Sequence, residues 1–180
     1  MTHRWLLGAV LSLYVITVAC GSKDDLDGGG VKGILEASAV NLDGEQVTIT
    51  QMQLDCGVQS ELWDAPSQVS QDRTTARLTP KGRELNFGDD PAIEPNYRQP
   101  HVQVRGPVSL EVQEVSDIRN GDRDDTKLVT AKAAVKIPDA CFANPLPMLG
   151  VKHGDFKEEA PVSFQFRKTD IGWRFDKVVH

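Results

Sequence analysis

The sequence predicts an α+β domain, with one helical segment packed on an antiparallel β-meander. Three observations predict it. From His101 onward, apolar and polar residues alternate over short stretches, which is the period of half-buried strands. Turn residues separate those stretches, so successive strands pair as antiparallel neighbours. Upstream, residues 45–63 carry Ile49, Met52, Cys56 and Trp63 near one helical face and, read that way, supply the helix. Met52, Leu54, Cys56 and Val58 also alternate with polar residues or glycine. Read as a strand, this stretch makes the alternative fold, an all-β sandwich.

The elements follow in order. Residues 34–44 close on the turn pair Asp43-Gly44. Residues 86–100 form a loop rich in Pro and Asp. Residues 101–105 alternate as a strand. Val108, Leu110 and Val112 alternate again, and the pattern then shifts phase to Val115 and Ile118, as a β-bulge produces. Residues 120–125 turn the chain, and residues 127–137 resume β character. A long connection, residues 138–160, precedes the alternation of Val162, Phe164 and Phe166. Residues 169–172 turn into a last strand, with Trp173 and Phe175 on one face.

The first twenty residues set the address. Arg4 is followed by fifteen residues without charge, WLLGAVLSLYVITVA. A membrane span needs about 20 apolar residues, whereas the core of a secretory signal has about 7–15. The motif Thr17-Val18-Ala19-Cys20 resembles the lipobox of bacterial lipoproteins, with Thr17 where Leu is usual. The resemblance implies cleavage before Cys20, a diacylglycerol thioether on its sulfur, and acylation (palmitate) of the new amino terminus. Gly21 follows Cys20 in place of Asp, which implies outer-membrane sorting, facing the periplasm.

Residues 1–19 are therefore expected to be a signal peptide, residues 20–33 a lipidated Cys with a flexible tether, and residues 34–180 one globular domain. The tether, GSKDDLDGGGVKG, reaches roughly 20 Å as a flexible coil. Asp24, Asp25 and Asp27 keep it solvated.

The full chain carries 20 Lys+Arg against 26 Asp+Glu, a net charge of −6. Losing Arg4 with the leader leaves 19 against 26, a net of −7. Such a surface repels phosphate backbones, so nucleic acid is not expected as a partner. Of three cysteines, the lipid takes Cys20. Cys56 and Cys141 are then an even pair in an oxidising compartment, where a disulfide is the default. The alternative is two buried free thiols. His101 and His153 have no zinc-ligand spacing with them, so no metal is expected.

A second, local resemblance lies in residues 70–85. Asp72-Arg73 followed by Leu78-Thr79-Pro80-Lys81-Gly82-Arg83-Glu84-Leu85 resembles the wing of winged-helix regulators of the multiple-antibiotic-resistance type. It implies a helix over 46–62, then a hairpin at Asp72-Arg73 leading into a strand through Leu78-Thr79-Pro80-Lys81-Gly82-Arg83, and then a helix. The upstream helices of that fold have no room here, so the resemblance is one of local structure only.

Candidate chemistry is sparse. Asp122, Asp124 and Asp125 share a turn with Asn120, but the spacing and the missing twelfth-position Glu do not make a Ca²⁺ loop. His101 and His153 have no nucleophile or carboxylate at motif spacing. No nucleophile elbow, phosphate loop or dinucleotide fingerprint is present in the sequence. No cofactor or catalytic residue is expected.

Trp63 and Trp173 read as core or hairpin anchors. Phe142, Leu146, Met148 and Leu149 lie in a Pro-rich loop after Cys141 that is either a docking surface or a plug under the sheet. The leading expectation is a membrane-anchored, non-enzymatic interaction or structural module that meets another envelope protein. One alternative is a small-ligand carrier walled by Phe164, Phe166, Trp173 and Phe175. Another is an envelope hydrolase or an inhibitor of one.

Overall fold

The computed structural model describes residues 25–37, 39–95, 97–151 and 157–179. Along the chain run α1 (Gly28–Ala37), β1 (Val40–Thr48), α2 (Gln51–Gln59), β2 (Ser67–Ser70), β3 (Arg73–Thr75), α3 (Pro80–Glu84) and β4 (Ala92–Ile93). Then come β5 (His101–Asn120), β6 (Thr126–Lys136), a 3-10 turn (Ala140–Phe142), β7 (Leu146–Pro147), β8 (Leu149–Val151), β9 (Lys157–Glu159), β10 (Val162–Thr169) and β11 (Gly172–Val179). The protein is mostly antiparallel β-sheet with few helices. Its main sheet has nine strands among the described residues, ordered β11-β10-β6-β5-β4-β3-β2, with β1 on β5 and β7 on β6.

The expected meander is present as β5-β6-β10-β11, each pair antiparallel. The two stretches 101–105 and 108–118 are one strand rather than two. The first half of β5 pairs with β1, and its second half pairs with β6. The two halves meet beside Gly106, whose φ of 84° places it in the left-handed region that glycine tolerates. The phase shift in the sequence marks a real irregularity, with register shifts between Val112 and Glu114 and between Val115 and Asp117. The Glu36 carboxylate accepts the Val112 N–H there at 2.9 Å, so α1 is hydrogen-bonded to the bulged strand.

The folded domain starts earlier than residue 34, inside the stretch expected to be tether. Leu26 is buried, and residues 28–37 form α1, with Val31 and Leu35 in the core. Glycines at 28–30 weaken this helix. Two things offset that. Asp27 Oδ1 accepts the Gly30 N–H at 2.7 Å as an N-cap. Val31, Ile34 and Leu35 line an apolar stripe packed against the core. The helix lies against β5 and reaches β11, and β1 touches β7, β8 and β11, so the sheet curls back towards its own far end. Inside the curl, Leu110, Val112, Val129, Phe164 and Phe166 are buried.

The ambiguous stretch resolves into both structures at once. Residues up to Thr48 continue a strand, and the helix occupies only Gln51–Gln59 of the expected 46–62. Thr50 stops the strand and starts the helix through a capping box. Its Oγ1 accepts the Gln53 N–H at 3.2 Å, and Gln53 Oε1 accepts the Thr50 N–H at 2.8 Å.

Candidate functional site

Residues 49–100, between β1 and β5, form a lobe of short elements, of which β2, β3 and β4 extend the main sheet beyond β5. Its centre is Trp63, buried with the indole N–H donating to the Leu54 carbonyl at 2.8 Å. Phe87 packs edge-on to Trp63 at 5.4 Å between ring centroids, and Phe142 closes the trio at 5.2 Å from Phe87 and 5.9 Å from Trp63. Gly57 makes this packing possible. A Cβ at that position would stand 2.2 Å from Trp63 Cζ2, so α2 lies directly on the indole face.

The helix α3 is set by sequence in the same local way. Thr79 is its N-cap, Pro80 opens its first turn, and Gly82 lies against the Leu62 carbonyl, where a Cβ would approach to 2.3 Å. Lys81 Nζ donates to the Ser60 carbonyl at 2.7 Å, and Asp90 Oδ1 accepts the Leu78 N–H at 2.7 Å. In chain order α2, the β2–β3 hairpin and α3 follow one another.

Cys56 and Cys141 form a disulfide, with Cα atoms 5.6 Å apart. It ties α2 to the 3-10 turn that follows β6. Cys141 is buried and Cys56 is partly exposed. The next residue, Phe142, inserts into the aromatic trio, so the same turn joins lobe to sheet by one covalent and one packing contact. Ser60 Oγ lies 3.3 Å from Cys141 Sγ. A disulfide sulfur carries no proton, so the hydroxyl is the donor.

The segment after Cys141 is a core plug. Phe142, Leu146 and Met148 are buried and Leu149 is half-buried. Of the two readings of this loop, docking surface or plug under the sheet, the burial is that of a plug. The two prolines leave the backbone extended, and Leu146–Pro147 uses that extension to pair with Val135 and Ala134 of β6. Met148 bridges to Val47 of β1.

Other candidates fall in separate places. His101 is buried at the start of β5, stacked on Tyr97 at 3.5 Å and 12° between ring planes. Tyr97 in turn donates its hydroxyl to Gln46 Oε1 at 2.6 Å. Asp122 and Asp124 are exposed at a hairpin tip, where Asp125 pairs with Arg123 at 3.3 Å. Phe164 and Phe166 are wholly buried, each edge-on to the half-buried Phe175 at 6.3 Å, and offer no surface to a ligand. Trp173 Nε1 is a buried donor without a hydrogen-bond partner among the described residues. Cys20 and His153 lie outside the described residues. Among the described residues no group of three or more His, Cys, Asp or Glu is placed to hold a metal, and no helix is long and apolar enough to cross a membrane.

The chain matches no family model, no curated protein and no solved structure. What it does must therefore be argued from its own residues. Sequence reasoning missed the Trp63–Phe87–Phe142 trio, because three aromatics spread over 80 positions of chain carry no periodic signal. It also missed α1, although Asp27 ahead of Val31, Ile34 and Leu35 is a cap followed by helical spacing.

Proposed function

We propose that the chain is a lipid-anchored envelope lipoprotein acting as a non-enzymatic interaction or structural module at the outer membrane, facing the periplasm. The disulfide carries this reading. A bond between Cys56 and Cys141 suits an oxidising compartment, and it leaves Cys20 as the odd cysteine at the end of a fifteen-residue uncharged stretch. Acylation of Cys20 with two or more chains supplies stable membrane attachment, so the domain surface has no need to bind lipid. Under this reading the domain is α+β, one curled antiparallel sheet with helices as cover, rather than two stacked sheets.

Packing of His101 under Tyr97 suits a structural group rather than an acid–base catalyst. With the loop after Cys141 buried, contact with another envelope protein falls to an exposed sheet edge. The strand β2 is one such edge, with all four residues exposed and β3 beside it.

The test is mass spectrometry of the amino-terminal peptide from the membrane fraction, alongside a Cys20→Ser variant. The expected result is a chain beginning at acylated Cys20, with the variant lost from the membrane. An intact Met1 start, or a soluble chain with Cys56 and Cys141 reduced, overturns the reading.

A further inference from the structure

The two sulfurs of the disulfide are not equivalent. Cys56 stands on α2 and is partly exposed, whereas Cys141 is only 9% exposed and faces the core. Four residues before Cys56, on the same helix face, Met52 is 81% exposed. It is a large exposed apolar side chain one helical turn from Cys56. On the other side of the bond, Ser60 aims its hydroxyl at Cys141 Sγ from 3.3 Å. The ammonium of Lys81 is held 2.7 Å from the carbonyl of that same Ser60. The Asp139 carboxylate accepts the Cys141 backbone N–H at 2.9 Å and is occupied by the main chain.

From this asymmetry we infer that Cys56 is a thiol-exchange site: an external thiolate attacks Cys56 Sγ, and Cys141 is the leaving group. The attacking lone pair forms a new S–S bond to Cys56. The Cys56–Cys141 bond breaks, and its electron pair stays on Cys141 Sγ as a thiolate. Ser60 O–H, already pointed there, donates to the developing anion, and the nearby Lys81 charge favours it. A second thiolate equivalent resolves the mixed disulfide and completes a two-electron reduction, both electrons coming from the external thiols. The partner class is a dithiol oxidoreductase, for which exposed Met52 supplies an apolar contact one helical turn from Cys56. The inference concerns the disulfide alone and holds whether or not Cys20 is acylated.

Such exchange depends on access to the attacked sulfur and on stabilisation of the leaving thiolate, and both favour one direction here. The test uses the oxidised full chain in detergent, mixed with glutathione, quenched with an alkylating reagent at short times, and mapped by peptide mass spectrometry. Glutathione should appear on Cys56 and the alkyl label on Cys141, in excess over the reverse by about tenfold. Ser60→Ala should slow the appearance of that adduct about fivefold, the loss of one hydrogen bond to a forming charge. Ser60→Thr, which keeps the hydroxyl, should restore the rate. A variant whose lobe had come loose would react faster, so a slower rate does not arise from misfolding. Glutathione on Cys141, an even split, or a Ser60→Ala rate equal to or above wild type overturns the inference.

Discussion

The long strands of the sheet, β1, β5, β6, β10 and β11, run 8 to 20 residues and pair along most of their length, whereas the strands of the lobe, which extend the same sheet beyond β5, have 2 to 4 residues. The sheet distributes its stability over many ladder bonds and a broad apolar interior, so no single contact decides it. The lobe rests on a few particular contacts: a capping box, Trp63 on the bare backbone of Gly57, the Phe142 ring brought in from elsewhere, and one disulfide. Regions with short elements and few buried contacts open at lower free energy than long paired strands. The lesson is that one chain can carry two designs, one redundant and one dependent on named side chains.

The largest effect expected is loss of the disulfide. Replacing Cys56 and Cys141 together by Ala should cost up to about 4–5 kcal/mol in urea unfolding, since the bond closes a loop with a sequence separation of 85. Hydrogen exchange should then quicken across residues 51–93 while the β6 and β10 amides stay protected. Equal loss of protection in both regions would merge them into one unit and break the comparison.

Next is Trp63→Ala, expected at about 4 kcal/mol from cavity formation, with the same exchange pattern read by mass spectrometry. A substitution of the sheet interior such as Leu110→Ala should cost about 3 kcal/mol but quicken exchange in both regions. Gly57→Ala adds only a methyl group, yet it should destabilise by about 2 kcal/mol, because the indole has nowhere to move. A neutral Gly57→Ala in thermal melts would show that the lobe is softer than its contacts suggest. The smallest effect is Asp27→Ala, about 1 kcal/mol through the lost N-cap of α1, read in the same melts.

Much of the sheet was legible because burial on one face forces a period of two. Val162, Phe164 and Phe166 are all buried, and the slip of phase after Val112 falls at a register shift. The disulfide followed from counting cysteines once one was assigned to lipid. The helix α1 was illegible to a reading of composition, since three glycines and an Asp-rich approach look like linker. Tertiary packing of Val31 and Leu35 overrides that weak propensity. The loop after Cys141 could not be settled from sequence because an apolar, Pro-rich segment looks the same whether it covers a core or waits for a partner. Only the position of β6, which offers Ala134 and Val135 for pairing, decides it.

The turn at Ala140–Phe142 also bears on the order of events when the chain emerges from its amino-terminal end. The lobe is made early, but its third aromatic ring and its covalent partner arrive only after both long hairpin strands have passed. Until then Cys56 stays a lone thiol and Trp63 faces an unfilled gap. The lobe can therefore be completed only once the later turn is present.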